Sequence, residues 1–324
     1  MEDVARVAGV ARMTVSRVLN QPETVAPATI AAVQAAIEEL GYVPNVNAAS
    51  LASNKSHIIG AVIPTISSEF FSDTISGLSQ ALAQKGYQLL LGQTLYDAKE
   101  EAALIDAFVG RRVDGMMLIR TSTPEALALR IQRSGIPFIE AWDISNEQID
   151  MLVGFSHKEA GKAAAHYLAL KGHRHLGYIG STETRSSARL AGFRDGAKEL
   201  NLPDVAAVML SRPAAITDSR STFAGLLEMR PELDAVFCSS DMLAAGVLFE
   251  SQRRGLDVPG KIAIMGFADL PIAAETCPAI TTVRVPSHEI GKRAGEMLLA
   301  RLEGKKNAGA RLDLGFEIIE RGSA

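Results

Sequence analysis

Apolar residues at Val4, Ala5 and Ala8, then Val10, then Val15, Val18 and Leu19 trace two short helical faces interrupted at Gly9-Val10. Such a break suits two helices meeting steeply around a glycine-containing turn, the helix-turn-helix unit. The second helix then carries Arg12, Met13, Ser16, Arg17 and Asn20 outward, where they can reach a nucleic-acid groove. An ordinary helical hairpin in a small core fits the same spacing. Pro27 opens a third helix at a position where a missing N–H costs nothing. Ile30, Val33, Ala36, Ile37 and Leu40 give it an apolar stripe, and Gly41 stops it. Residues 45–53 have little apolar surface, so any helical turn there is marginal on its own.

At His57 the texture changes. Residues 58–64 form a continuous apolar run of strand length, as expected for a strand buried on both faces. Helices at 71–85, 98–110 and 124–133 then alternate with strands at 87–92, 114–119 and 136–141. The alternation starts again with helices at 157–171, 186–200, 218–229 and 242–254 and strands at 176–180, 205–210, 235–238 and 262–266. A helix at 286–303 and a last strand at 312–319 close the chain. The pattern predicts an α/β fold with two similar lobes of doubly wound parallel sheet and a cleft between them.

Composition changes this picture little. The chain has 324 residues, 47% of them hydrophobic, a formal charge of −4 and a mean hydropathy of +0.12, so no basic field covers the whole molecule. There is no apolar stretch of about 18 residues and no basic-then-apolar start, which predicts a cytoplasmic protein with no membrane partner. Cys238 and Cys277 are expected to be buried free thiols. Signatures of dinucleotide, zinc-protease, dithiol and serine-hydrolase chemistry are all missing. Gly255 to Gly260 with Lys261 imitates a phosphate loop, but Ile262 stands where Ser or Thr is needed. His173-Arg174-His175 reads as a solvated turn rather than a metal site. No catalytic residue, metal or cofactor is expected.

In open parallel sheets, ligands bind outside the carboxyl ends of the strands. Those positions hold Ser67, Ser68, Phe70 and Phe71, then Gln93 and Thr94, then Arg120 and Thr121, then Trp142 and Asp143. The second half contributes Arg185, Arg189, Ser239, Ser240, Asp241, Phe267 and Asp269. Aromatic faces and hydroxyls suit a sugar, and arginines suit an anionic one, because a guanidinium grips a carboxylate through two hydrogen bonds. The plain alternative is that such loop residues cap helices and face water.

The stretch 4–20, with Gly41-Tyr42-Val43-Pro44-Asn45 and Ser50-Leu51-Ala52-Ser53, resembles the lactose-repressor (LacI/GalR) family of bacterial transcription regulators. Residues 113–118, Lys171 to Gly180 and Arg189-Leu190-Ala191-Gly192-Phe193 sit where that family has similar blocks. Arg120 to Pro124, Val153 to Ser156, Phe237 to Asp241 and Leu312 to Phe316 make the chain most similar to gluconate-operon repressors. The resemblance implies a helix-turn-helix headpiece over 1–44 and a hinge helix and linker over 45–57. The effector-binding core, periplasmic-binding-protein-like, would span 58–324. Lobe one is expected at about 58–154 and 286–313, and lobe two at about 155–284 and 314–324.

The resemblance further implies a homodimer, with a tetramer left open, that reads a pseudo-palindromic operator in double-stranded DNA and represses transcription. Arg12, Met13, Ser16, Arg17 and Asn20 would lie closest to bases, Thr14 near phosphate, and Asn45 with the DNA-binding set. Leu51 would match the hinge leucine that wedges into the minor groove. Arg189 would match the effector-binding arginine, and Ser68, Phe70, Arg120, Trp142, Arg185, Ser240, Asp241 and Asp269 are expected beside it. Gluconate or a related sugar acid is the expected effector, releasing the operator. A neutral-sugar or corepressor-dependent regulator, and less so a sugar-binding transport protein, are the alternatives.

Four positions depart from the family pattern. Ala11 replaces the serine that caps the recognition helix, and Ala49 stands where the hinge is often polar. Ser240 replaces a frequent asparagine. Ala268 replaces an aspartate that grips hydroxyls in neutral-sugar repressors, and losing that carboxylate favours an acidic ligand. The chain also starts at Met1-Glu2-Asp3 without the family's common basic leader, so phosphate contacts are expected to be missing there or the start truncated.

Overall fold

The computed structural model describes residues 1–43, 55–119, 125–144, 148–211, 215–305 and 311–324. They form two compact units, Met1–Ser56 and His57–Ala324.

In the first unit, α1 (Glu2–Val7), α2 (Arg12–Asn20) and α3 (Pro27–Leu40) enclose a small core. Val4, Ala5, Val15, Val18, Val33 and Ala36 are its buried centre. Gly9 takes a left-handed φ of +66° at the turn between α1 and α2, and Gly41 ends α3 in the same conformation at +56°. Ala11 leaves the start of α2 without a side-chain cap. The helix therefore begins on packing alone, with backbone donors that a hydroxyl elsewhere would satisfy.

The second unit holds two six-stranded sheets. Lobe one carries β1 (Ile58–Ile63), β2 (Gln88–Gln93), β3 (Gly115–Leu118), β4 (Phe138–Ala141), β5 (Met151–Gly154) and, from the far end of the chain, β11 (Arg311–Asp313). Their order is β11-β5-β4-β3-β1-β2, all parallel. Lobe two carries β6 (Leu176–Ser181), β7 (Ala206–Leu210), β8 (Ala235–Cys238), β9 (Ala263–Ala268), β10 (Thr281–Arg284) and β12 (Glu317–Ile319). Their order is β12-β10-β9-β8-β6-β7, with only the β10–β12 pair antiparallel.

The chain crosses between lobes three times, after β5, after β10 and between β11 and β12. Three expectations are corrected here. Residues 312–319 are not one strand: the chain turns at Gly315 (φ +67°) and gives one short strand to each sheet. β5 and β10 are strands that the alternation did not reveal, because among the described residues no helix separates β4 from β5 and only the five-residue α11 (Pro271–Glu275) lies between β9 and β10. Cys277 is exposed, whereas Cys238 is buried, and both thiols are free.

Each lobe is faced by a helix pair in close contact. In lobe one these are α4 (Glu69–Ala83) and α12 (Ser287–Leu302); in lobe two, α7 (His157–Leu170) and α8 (Thr184–Glu199). Both pairs approach through reciprocal glycines. A methyl at Gly77 would strike the carbonyl oxygen of His288, and one at Gly291 that of Thr74. A methyl at Gly161 would strike the Arg189 carbonyl, and one at Gly192 that of Lys158. The remaining helices are α5 (Ala98–Gly110), α6 (Glu125–Ser134), α9 (Ser219–Met229) and α10 (Asp241–Arg253).

Two outcomes follow from these contacts. Ala11→Ser supplies the missing cap and should stabilise the headpiece by about 1 kcal/mol, read as a higher melting temperature of the 1–56 unit's helical signal. Gly192→Ala should force α8 off α7 and destabilise the core by about 1–3 kcal/mol in a thermal melt.

Candidate functional site

In the headpiece, α2 buries Val15 and Val18 and presents Arg12, Met13 and Arg17 to solvent. Met13 is 68% exposed, an apolar side chain free to contact another surface. Thr14 and Ser16 are half-buried at the edges of this face. Arg12 meets Glu2 at 3.4 Å in a fully solvated pair, which constrains it little. The side chain of Asn20, and Asn45 and Leu51 entirely, lie outside the described residues.

In the second unit, the carboxyl ends of the strands face one another across the cleft. Phe70, Phe71, Trp142, Phe155 and Phe267 make a continuous aromatic wall, with ring centroids 4.6–6.2 Å apart. Two guanidinium groups stand against it. Arg189 is 6% exposed, and its charge lies 4.0 Å from the Phe267 ring centroid. Its Nη1 donates to Nδ1 of His157 at 2.8 Å and its Nη2 to the Ser239 carbonyl at 3.2 Å. Its Nε–H is buried and has no hydrogen-bond partner.

Arg185 is 8% exposed and lies 5.9 Å from the Phe71 ring centroid. Burial pulls its pKa below the ordinary guanidinium value, while Asp143, Tyr96 and Glu183 pull it back. Tyr96 of lobe one stands beside Glu183 of lobe two, and burial together with that carboxylate's charge raises its phenol pKa. Burial raises the Glu183 carboxyl above its usual range, against the opposing charges of Arg185 and Arg189. Oε1 of Glu183 is buried without a hydrogen-bond partner.

The backbone around these groups is strained. Tyr96 (φ +65°), Trp142 (+80°), Ala268 (+106°) and Asp269 (+60°) all occupy the left-handed side of conformational space at strand ends. Non-glycine residues hold such angles where surrounding structure over-determines them, a pattern that clusters at functional sites.

Phe70, Trp142, Arg185 and Arg189 therefore come together as the strand-end rule implies. Ser68 precedes α4 and makes no side-chain cap bond there. Ser240 caps α10, its hydroxyl accepting from the Leu243 N–H at 3.3 Å. Arg120 lies outside the described residues. The carboxylates of Asp241 and Asp269 are engaged by the scaffold. Asp241 is fully buried and accepts from the Leu270 N–H at 2.7 Å and from the Thr282 hydroxyl. Asp269 accepts from Arg284 and Arg321, each at 2.6 Å. Together they hold the strained turn that follows β9. Sequence reasoning missed His157, Tyr96 and Glu183. The last two follow strands β2 and β6 as closely as the residues it did single out.

Among the described residues no group of three or more His, Cys, Asp or Glu side chains could hold a metal ion, and no helix is long and apolar enough to cross a membrane. A helix-turn-helix unit and a two-lobed core with a charged cleft together define a DNA-binding transcriptional regulator that responds to a small molecule. Residues 1–45 match the family model for bacterial regulatory proteins of the lacI family, and residues 165–324 that for a periplasmic binding protein-like domain. The chain is 36% identical to the HTH-type transcriptional regulator GntR of Pseudomonas aeruginosa over 100% of its own length and 95% of the relative's. It is 33% identical to GntR of Escherichia coli K12, over 100% and 98%. A solved LacI-family regulator from Silicibacter pomeroyi is 31% identical and superposes with a TM-score of 0.92, over 99% of this chain and 98% of the other.

The chain belongs to the lacI family of bacterial regulatory proteins. It is a transcriptional regulator and not an enzyme. Among solved structures of similar fold is the lac repressor dimer bound to operator, 21% identical with a TM-score of 0.88 over 99% of this chain and 97% of that one.

The Asp241 carboxyl gives a measurable signature. Burial pushes its pKa up to about 6 from 3.8, against the bonds from Thr282 and Leu270. A raised acid pKa means the folded state favours the proton, so Asp241 contributes most below pH 3.8 and that contribution is lost as pH rises through 6. Relative to wild type, Asp241→Asn should therefore gain stability between pH 4 and pH 7, by up to about 3 kcal/mol in paired denaturation curves.

Proposed function

We propose that this regulator represses its target genes and is released from its operator by a sugar acid of the gluconate type. The observation that carries the reading is the pair of arginines buried in the cleft, of which Arg189 has only neutral hydrogen-bond partners and an unused Nε–H. A buried guanidinium whose hydrogen bonds go to neutral groups and whose Nε–H is unused favours an anion, and its edge matches a carboxylate. The aromatic wall supplies faces for the C–H side of a polyol chain.

Ala268 strengthens the reading. A carboxylate at that strained turn would stand near an incoming acid and repel it; alanine does not. Asp269 is already held between Arg284 and Arg321 and adds no free negative charge. Similarity to two regulators named GntR points the same way.

On the DNA side, α2 is the element we assign to the major groove, with Arg12, Met13, Ser16, Arg17 and Asn20 toward bases and Thr14 toward phosphate. Asn45 and Leu51 are assigned to the same interface, Leu51 as the minor-groove wedge. Closure of the cleft on its effector would favour a core conformation that the operator-bound dimer does not share, and affinity for the operator would fall by that difference.

A thermal-shift series with the full-length protein tests the ligand class. D-gluconate or 2-ketogluconate at 100 times its dissociation constant should stabilise the core by about 2.7 kcal/mol, while D-glucose leaves the melt unchanged. The same acid should weaken operator binding in a DNA titration. Stabilisation by a neutral sugar and not by any aldonic acid would overturn the assignment.

A further inference from the structure

Among the buried groups of the cleft is the His157 imidazole. His157 is the first residue of α7, where a side chain is ordinarily outside, yet it is 1% exposed. It sits directly after the first lobe crossing, 4.4 Å from the Phe155 ring and 5.9 Å from that of Phe267.

Both ring nitrogens are committed, and their partners belong to different lobes. Nδ1 accepts from Arg189 Nη1 at 2.8 Å, so that nitrogen carries no proton. Nε2 therefore bears the hydrogen and donates it to the Trp142 carbonyl at 2.9 Å. From Trp142 the chain of bonds continues. The indole Nε1 donates to Thr74 Oγ1 at 2.9 Å, and Thr74 Oγ1 reaches the Ser287 carbonyl at 3.0 Å, beside the second lobe crossing.

We propose that His157 is the positioning residue of the effector site: it fixes the Arg189 guanidinium against lobe one, so that the edge offered to ligand is set by both lobes together. The proposal rests on the sugar-acid reading only for the choice of probe. Protonating Nδ1 would destroy the acceptor and place a second cation beside Arg189. Burial, then the charges of Arg189 and Arg185, hold the His157 pKa well below its usual value and prevent this at neutral pH.

Two substitutions separate positioning from packing. Glutamine at 157 keeps an acceptor for Arg189 and a donor for Trp142; phenylalanine keeps the volume and loses both. His157→Phe should weaken D-gluconate binding about tenfold or more, the loss expected for a hydrogen bond to a charged group, and His157→Gln should restore most of it. Trp142 is the single tryptophan, so its emission reports the site directly. His157→Phe should change that emission in the ligand-free protein, with His157→Gln closer to wild type.

A readout without ligand decides the case independently. In histidine-labelled full-length protein, nitrogen NMR should show His157 as the Nε2–H tautomer with a hydrogen-bonded Nδ1. Arg189→Met should move the Nδ1 resonance toward that of a free imidazole nitrogen. An unmoved resonance, or equal gluconate affinity in wild type and His157→Phe, would overturn the proposal. If wild type does not respond to gluconate at all, the ligand class fails while the Nδ1 resonance still decides the role of His157.

Discussion

Keeping a guanidinium out of water is the constraint on which the cleft is built. A buried charge costs several kcal/mol unless something replaces its hydration. Arg189 is compensated by an imidazole lone pair, a backbone carbonyl and the face of Phe267, all of them neutral. Neutral partners lower the cost without cancelling the charge. Elsewhere the same protein sets arginines directly against carboxylates. Glu250 takes Arg220, Arg253 and Arg254, and Asp269 takes Arg284 and Arg321. In the cleft, by contrast, the hydrogen bonds of Arg189 go to neutral groups and its Nε–H is left unused.

The aromatic wall and the strained turns follow from that constraint. Phe71 and Phe267 supply negative ring faces to the two arginines while excluding water that would screen them. Trp142 and Ala268 accept unfavourable backbone angles at the strand ends, where the scaffold fixes them. Trp142 is tied by Thr74 and His157, and the turn at 268–270 by the buried Asp241 carboxylate. Strain at these positions is thus balanced by bonds that also orient the site. Because the tying groups come from both lobes, a change in lobe angle must alter the geometry around Arg189.

Much of the fold was legible because its signals are local. Long helices and buried strands announce themselves by period and by continuous apolar runs, so the alternation was recovered within a few residues. What failed was non-local or too short to have a period. Residues 312–319 alternate like one strand, and only the turn at Gly315, dictated by two separate sheets, divides them. The site divides the same way. Arg185, Arg189 and Trp142 follow from the rule that ligands meet strand ends. Asp241 and Asp269 obey that rule equally well, yet turn inward to a backbone N–H and to arginines, and no local pattern distinguishes the two cases. His157 was hidden for the opposite reason: behind the Ser156 cap it occupies a helix position that normally faces solvent.

The headpiece adds a final consequence. Four basic residues face five acidic ones before His57, and two of the arginines already meet carboxylates, Arg6 with Asp3 and Arg12 with Glu2. Affinity for DNA rises with the number of phosphates neutralised, so a single headpiece of this charge has a weak electrostatic hold. Its recognition helix, started without a cap, is not fully preorganised either. Tight operator binding must then come from two headpieces acting as one, where the second contact is made at the high local concentration set by the dimer. Weak modules joined in this way are sensitive to spacing. A modest change in how the cores hold the pair costs most of the joint affinity, whereas a strongly basic headpiece would stay bound alone. The poor charge of α1 to α3 therefore leaves a single headpiece little affinity of its own to add.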